Sequence, residues 1–154
     1  MNIKEYIKEQ RLITDGAMGT YYEEKYSEDT VIAEKENLKN PEQIKEIHLE
    51  YLRAGARLIR TNTFAANTMF LADMQEVKET VRAGYEIAKE AVTAFQAENG
   101  KEIPVFIGAD LGPIYDLDHQ DYDNVLQEYK EICDTFLSCG ADCFVFETQS
   151  DFTY

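Results

Sequence analysis

A helix end, a strand and a polar strand tip follow one another in the stretch Leu52-Arg53-Ala54-Gly55-Ala56-Arg57-Leu58-Ile59-Arg60-Thr61-Asn62-Thr63. A glycine that closes a helix just before a short apolar run is typical of the αβ turn in a βα repeat. The same order recurs in Leu137-Ser138-Cys139-Gly140-Ala141, which leads into an apolar run ending at Glu147-Thr148. Any βα repeat produces such an echo, so it indicates the fold rather than a site.

Helix and strand patterns alternate along the whole chain. Helices are predicted over 40–55, 76–98 and 123–138, and strands near Leu12-Ile13 and over 57–61, 104–108 and 143–146. Asn40, Pro41 and Gln43 supply an N-cap, a first-turn proline and the third position of a capping box for the first helix. The alternation predicts an α/β fold with four parallel strands and three main helices, joined by right-handed crossovers. Both a doubly wound sheet and part of a (β/α)₈ barrel have this order.

Length and charge limit the classes of protein and partner. A complete (β/α)₈ barrel takes about 250 residues, so a chain of 154 residues would hold half of one, as a single partial domain over 1–154 that is truncated after strand 4. The net charge of −15 at pH 7 argues against nucleic acid and anionic membranes as partners. The chain has no apolar run long enough to span a membrane, and the N-terminus lacks a secretory signal. We therefore expect a cytoplasmic protein.

The cysteines and histidines are interpreted as structural. Cys133, Cys139 and Cys143 lack the spacing of a zinc finger or ribbon, and buried structural cysteine is the favoured interpretation. His48 lies near the apolar face of a predicted helix, and His119 lies in an acidic loop where solvation is expected. A calcium site in that loop is disfavoured, because the EF-hand glycine and final glutamate are missing.

Polar groups collect at the predicted strand tips. The first strand runs into Asp15-Gly16-Ala17-Met18-Gly19-Thr20, the second into Asn62-Thr63 and the fourth into Glu147-Thr148. The C-terminal ends of parallel strands are where α/β folds place their sites, and the glycines let backbone N–H groups approach a small ligand. The sequence therefore predicts a site at this end of the sheet.

Several motifs, in the right order, resemble the homocysteine S-methyltransferase family. They are Asp15 to Thr20, Leu38 to Pro41, Arg60 to Phe64, Asp110 to Pro113 and Phe146 to Asp151. The last two are most similar to the homocysteine modules of cobalamin-dependent methionine synthases and of fusions with methylenetetrahydrofolate reductase. The resemblance implies a (β/α)₈ barrel, of which this chain would be the N-terminal half. It also implies a zinc ion, held by three cysteines of the later half of the barrel, that activates the homocysteine thiol.

The resemblance also implies which residues hold the substrate. Asp15 and Glu147 match the acids that bind the homocysteine ammonium, and the amides near Gly16 and Ala17 would bind its carboxylate. Asn62 and Thr63 match the second strand tip and would shape the same pocket, although Asn62 could equally cap the following turn. For Asp15 an Asx turn is the structural alternative. No residue of this chain is predicted to be catalytic or to bind the metal.

The resulting prediction is the homocysteine-binding half of a methyltransferase that converts homocysteine to methionine. Methylcobalamin and methyltetrahydrofolate are the favoured methyl donors, and S-methylmethionine is a third. The isolated chain is expected to be inactive, because the zinc ligands fall outside it, and to self-associate through its unpaired sheet edges. The alternative from another class is a non-catalytic module, made from a truncated barrel, that binds amino acids or assembles with a partner. A flavodoxin-like phosphate-binding domain ranks last, because no phosphate-binding glycine motif is present.

Overall fold

A computed structural model describes residues 2–26, 32–99, 103–115 and 122–149. Short helices α1 to α3 precede a regular alternation of long helices and strands. The elements are α1 (Ile3–Glu9), α2 (Gly19–Tyr26), a 3₁₀ turn (Ala33–Lys35), α3 (Glu36–Lys39), α4 (Pro41–Ala54), β1 (Leu58–Arg60), α5 (Met74–Asn99), β2 (Phe106–Leu111), α6 (Tyr122–Ser138) and β3 (Phe144–Phe146). Within these ranges, no helix is long and apolar enough to cross a membrane.

The strands form a parallel sheet in the order β1-β2-β3. Ile59 pairs with Ile107 between the first two strands, and Asp110 pairs with Val145 between the last two. This confirms the predicted α/β class and the parallel sheet. It also brings the C-terminal ends of the three strands to one edge, because parallel strands run in the same direction.

The predicted first strand is wrong: the described residues hold three strands, not four. The segment at Ile13 does lie beside β1, where Arg57 N–H donates to the Ile13 carbonyl at 2.8 Å and Asp15 N–H donates to the Leu58 carbonyl at 3.0 Å. Thr14 and Leu58 form a single parallel bridge. Pairing stops after that one bridge because the chain turns away at Asp15-Gly16, so no ladder forms.

The two ends of α4 differ in how well the sequence predicted them: the glycine at the C-terminus closes the helix as expected, whereas the capping box at the N-terminus does not form. Gly55 closes the helix with φ 113°, the left-handed conformation that glycine favours, and its N–H donates to the Leu52 carbonyl at 3.1 Å. The predicted capping box at the start is wrong, because the Asn40 side chain does not cap the helix. Its Nδ2 donates instead to the buried Glu36 carboxylate at 2.6 Å, since α3 ends immediately before Asn40.

The core lies where the long helices cover the sheet. One cluster joins α5, β2 and α6, and a second joins α4, β1 and α5. His48 on α4 is fully buried, in agreement with a structural role, but neither ring nitrogen has a hydrogen-bond partner among the described residues. Burial lowers the pKa of His48 to about 4. His119 and most of the acidic loop lie outside the described residues.

The three cysteines are half-buried rather than fully buried. Cys133 and Cys139 pack against the α5–α6 core, and burial raises the pKa of the Cys133 and Cys143 thiols. Cys143 comes just before β3, at the opposite end of that strand from Glu147. No group of three or more metal-ligating side chains is found among the residues that the structure describes. The described residues therefore do not fit the zinc ion that the resemblance implies.

Candidate functional site

A cavity of about 610 Å³ opens at the C-terminal ends of the strands. It is lined by all six residues that the sequence predicted for the substrate site: Asp15, Gly16, Ala17, Asn62, Thr63 and Glu147. They come from the turn before α2, the end of β1 and the end of β3. Arg60, Asp110 and Glu34 also line it, and these three were missed as site residues.

Arg60 occupies the space between the two predicted ammonium-binding acids. Its backbone N–H donates to Asp15 Oδ2 and its Nε donates to Asp15 Oδ1, each at 2.8 Å. Its Nη1 contacts Glu147 Oε1, and its Nη2 donates to the Gly16 carbonyl at 2.8 Å. Burial raises the pKa of Asp15, and the hydrogen bonds from Arg60 oppose that rise. A charged side chain in the predicted strand 57–61, directly after the apolar pair Leu58-Ile59, was the signal that could have revealed Arg60 in the sequence.

Asp110 is a buried acid near the end of β2. It is 3% exposed, and its Oδ1 accepts no hydrogen bond from any described residue. Its backbone is held firmly: its N–H donates to Thr61 Oγ1 at 3.0 Å, and its carbonyl accepts from Thr63 Oγ1 at 2.7 Å. Burial, and then the charge and the side-chain hydrogen bond of the neighbouring Glu147, raise the pKa of Asp110 to about 8. Around neutral pH this side chain is therefore mostly protonated.

Asn62 and Thr63 line the cavity. The Asn62 Nδ2 and the Thr63 hydroxyl donate hydrogen bonds to protein atoms. The Asn62 Nδ2 donates to the Ala33 carbonyl and to Asn37 Oδ1, both at 2.8 Å. Thr63 donates to Asp110 as described above, and both residues are 3% exposed. The Asn62 side chain therefore does not cap the following turn, and its Nδ2 is not free to bind a ligand in the cavity. Together the two side chains fix the shape of the wall.

The turn from Asp15 to Gly19 offers backbone donors to the cavity. Among the described residues, no protein acceptor is found for the N–H groups of Gly16 and Ala17. Tyr51 of α4 supports the turn by donating from its hydroxyl to the Ala17 carbonyl at 2.7 Å. A Cβ at Gly16 would lie 2.8 Å from that hydroxyl oxygen, so a larger residue at this position would displace Tyr51. The N-terminus of α2 begins at Gly19, on the same side, and favours an anion.

Glu34 is a further acid in the cavity wall, and no pattern in the sequence indicated it. It comes from the polar segment after the first turn, yet it is 7% exposed. Its carboxylate accepts from the Ala65 N–H at 2.8 Å, which ties this segment to the loop after β1. Burial raises the pKa of Glu34.

Two backbone features shape the rim. A Cβ at Gly112 would lie 2.3 Å from the Phe64 carbonyl oxygen, which already accepts from the Gly112 N–H at 3.1 Å. Thr148, directly after Glu147, has a φ of 58°, a left-handed conformation that is uncommon for a non-glycine residue. Strained residues of this kind gather at functional sites.

The sequence of the chain is similar to those of known proteins. The model of the family described as homocysteine S-methyltransferase matches residues 12–153. The homocysteine S-methyltransferase of Escherichia coli (strain K12) is 30% identical over 162 aligned residues, which cover 95% of this chain and 52% of that protein. A methionine synthase of Mycobacterium leprae (strain TN) is 27% identical, with 97% of this chain and 13% of that protein covered.

The fold agrees as well. The crystal structure of the E. coli homocysteine methyltransferase MmuM in its metallated form superposes with a TM-score of 0.80 and 27% identity, covering 95% of this chain and 57% of that one. The chain thus spans about half the length of its E. coli relative, and its sheet matches the N-terminal part of that barrel. Because the family model extends over nearly the whole sequence, the chain belongs to the homocysteine S-methyltransferase family.

Proposed function

We propose that this chain is the homocysteine-binding part of an enzyme that methylates homocysteine to methionine, built as the N-terminal half of a (β/α)₈ barrel. One observation carries the proposal. A single cavity at the strand tips is lined both by acids and by backbone N–H groups for which the described residues supply no acceptor, and the N-terminus of α2 lies beside it. This polarity fits an α-amino acid, which carries an ammonium and a carboxylate on the same carbon.

The two ends of the amino acid would contact different elements. Its carboxylate would accept hydrogen bonds from the N–H groups of Gly16 and Ala17, with added stabilisation from the positive end of α2. Its ammonium would bind on the acidic side, where Glu147 is 34% exposed in its side chain. Asn62 and Thr63 would shape the pocket. These contacts bind and orient the substrate.

Methyl transfer needs groups beyond these. Membership of this family implies a zinc ion, which would lower the pKa of the substrate thiol. The described residues do not fit that ion, so we assign to them no step of the transfer. Methylcobalamin and methyltetrahydrofolate stay the proposed donors, with S-methylmethionine as the third, and the similarity to both methionine synthases and a homocysteine S-methyltransferase supports this set.

The test is calorimetric titration of the chain with L-homocysteine. Glu147→Gln should weaken binding by roughly ten- to a hundredfold, because a charge-assisted hydrogen bond contributes about 1.5–3 kcal/mol. Glu86→Gln, an exposed glutamate on α5 away from the cavity, is the matched control and should leave the affinity unchanged. 4-Mercaptobutyrate, which lacks the ammonium, should bind weakly to the wild type and be insensitive to Glu147→Gln. Equal affinities of the wild type and Glu147→Gln for L-homocysteine would contradict the proposal.

A non-catalytic amino-acid-binding module is the second candidate, because the acids and backbone N–H groups that line the cavity would recognise the amino-acid group alone. L-2-Aminobutyrate, which is homocysteine without its sulfur, separates the two. A module that recognises only the amino-acid group would bind both ligands equally. A methyltransferase half should prefer homocysteine, because its cavity must also place the thiol.

A further inference from the structure

Gln149 belongs to the motif Phe146 to Asp151, but it is not one of the predicted site residues. It comes two residues after Glu147, and both ends of its side-chain amide contact described residues. Its Nε2 donates to the Glu147 carbonyl at 3.3 Å and to the Leu111 carbonyl at 3.4 Å, and its Oε1 accepts from the Tyr129 hydroxyl at 3.3 Å. The amide therefore links the tip of β3 to the end of β2 and to α6.

The Tyr129 hydroxyl lies where the loops after β2 and β3 meet. Tyr129 is 8% exposed. Its hydroxyl accepts from the Ile114 N–H at 2.8 Å and lies 3.2 Å from the Gly112 carbonyl oxygen. A hydroxyl has one proton to donate, so the Gly112 carbonyl and the Gln149 amide oxygen share it. This single group thus joins α6 to both loops.

The turn between Glu147 and Gln149 needs support from its surroundings. Thr148 has a φ of 58°, and a non-glycine residue keeps that conformation only where neighbouring groups hold it. The Glu147 N–H donates to the Leu111 carbonyl at 3.0 Å, which fixes the start of the turn. The Gln149 amide reaches back across Thr148 to the Glu147 carbonyl and so fixes its end.

We propose that Tyr129 and Gln149 are positioning residues, which together hold Glu147 where it can bind a substrate ammonium. We call this pair the Tyr129–Gln149 clamp. The inference rests on the proposed function, because that proposal assigns the ammonium contact to Glu147. Neither member of the clamp is among the residues that line the cavity. Each therefore acts through Glu147 rather than on the ligand.

The clamp should matter for affinity because Glu147 is only partly held by its own side chain. That side chain is 34% exposed, and Arg60 contacts its Oε1. A side-chain contact orients the carboxylate only when the backbone beneath it is fixed, and ordering a flexible side chain on binding reduces affinity. Loss of the clamp should therefore weaken amino-acid binding without removing any contact to the ligand.

The first experiment is calorimetric titration with L-homocysteine. Tyr129→Phe, which keeps the ring and removes the hydroxyl, should weaken binding by roughly fivefold, the factor that corresponds to one hydrogen bond. Gln149→Met, similar in length but without the amide, should do the same. The double variant should bind no more weakly than the weaker single variant, because the two residues act as one unit. Unchanged affinity in both single variants would overturn the proposal.

Tyr85→Phe is the matched control. Tyr85 is a buried tyrosine on α5, 5% exposed, whose hydroxyl has no hydrogen-bond partner among the described residues. Its loss should leave the affinity for L-homocysteine unchanged. A loss equal to that of Tyr129→Phe would show that removal of any buried tyrosine hydroxyl weakens binding, and the inference would be wrong.

The second experiment separates the positioning of Glu147 from a general loosening of the cavity. In the Glu147→Gln background, Tyr129→Phe should change the affinity by less than about twofold, because the charge that the clamp positions is gone. An equal loss in both backgrounds would mean that Tyr129 acts on the cavity as a whole, which contradicts the inference. Circular dichroism identifies loss of folding. Gln149 is half-buried and lies outside the helices and strands, so Gln149→Met carries the test if Tyr129→Phe does not fold.

The two proposals fail in different ways. If the wild-type chain does not bind L-homocysteine, or if Glu147→Gln binds it equally well, the proposed function is wrong and the inference fails with it. If Glu147→Gln weakens binding and the Tyr129 and Gln149 variants do not, the inference alone fails.

Discussion

Arg60 donates to both carboxylate oxygens of Asp15, once from its backbone N–H and once from its side-chain Nε. The pair joins β1 to the turn before α2, and Asp15 is almost wholly buried. The backbone bond does not depend on the rotamer of Arg60, so it helps to hold the Asp15 carboxylate in place relative to the sheet. The stability of the chain should therefore depend on this pair.

Arg60→Met should lower the free energy of unfolding by about 2–3 kcal/mol at neutral pH. Loss of one partner from a buried ion pair typically destabilises by about 3–5 kcal/mol, and the 21% exposure of the Arg60 side chain reduces that figure. Urea denaturation followed by circular dichroism measures the change. Asp15→Asn/Arg60→Met is the matched control and should recover part of the loss, because no buried charge is left. A double variant less stable than Arg60→Met would contradict this account.

Asp110 should make the chain less stable as the pH rises. Its pKa is raised to about 8 by burial and by Glu147, so above about pH 4 the folded chain holds a proton that the unfolded chain releases. Stability from this group is present at low pH and is lost towards pH 8, with a slope of up to ~1.4 kcal/mol per pH unit. Asp110→Asn, which imitates the protonated acid, should be more stable than the wild type by a margin that grows with pH. Urea titrations from about pH 6.5 to 8 measure that margin, and a constant margin would refute the assignment.

His48 should have the opposite dependence in a lower range. Burial lowers its pKa to about 4, so the unfolded chain binds a proton below about pH 6.5 that the folded chain does not. Its contribution is complete above that pH and falls by roughly 3 kcal/mol as the pH drops to about 4. The stability of His48→Leu relative to the wild type should therefore rise as the pH falls. His48→Gln, polar but not titratable, should give the same slope; a flat difference in both variants would contradict the prediction.

Gly16→Ala should weaken L-homocysteine binding by roughly fivefold. The new Cβ would lie 2.8 Å from the Tyr51 hydroxyl oxygen, and Tyr51 must move and lose its hydrogen bond to Ala17. A hydrogen bond of this kind contributes about 1 kcal/mol, which corresponds to that factor. Gly19→Ala is the matched control, because nothing lies within 4 Å of its Cβ position. Calorimetric titration compares the two variants. Equal affinities of Gly16→Ala and Gly19→Ala for L-homocysteine would show that the Tyr51 contact does not support binding.

Self-association stays a prediction, and the sheet edges give it a specific form. Ile13 beside β1 is 58% exposed, and Phe146 at the tip of β3 is 54% exposed. Exposed edges with apolar side chains pair with other chains, and the net charge of −15 is screened beyond about 10 Å at 0.1 M salt. Light scattering at micromolar concentration should show oligomers. Phe146→Lys should reduce them, whereas Leu137→Lys, equally exposed at 56% on α6, should not. A wild type that is monomeric at this concentration would contradict the prediction of self-association.

The parallel sheet and long helices could be predicted because apolar periodicity and helix-ending glycines are local signals. The first strand could not, because its two apolar residues say nothing of the turn at Asp15 that ends its pairing. The role of Arg60 depends on partners 45 and 87 positions away, and no local pattern carries such contacts. Asp110 sits in an apolar run whose pattern gives no hint that a charged group faces a cavity.

The backbones of Gly112 and Phe64 are in contact, so the loops that follow β1 and β2 pack together with no room for a side chain at position 112. Any larger residue at 112 would force them apart, and selection of variants with a new ligand range should leave this glycine untouched. The part of the cavity wall at Gly19 is open by comparison, because nothing lies within 4 Å of a Cβ position there. Libraries that aim to change the ligand range of the cavity should therefore vary the residues around Gly19 and leave Gly112 unchanged.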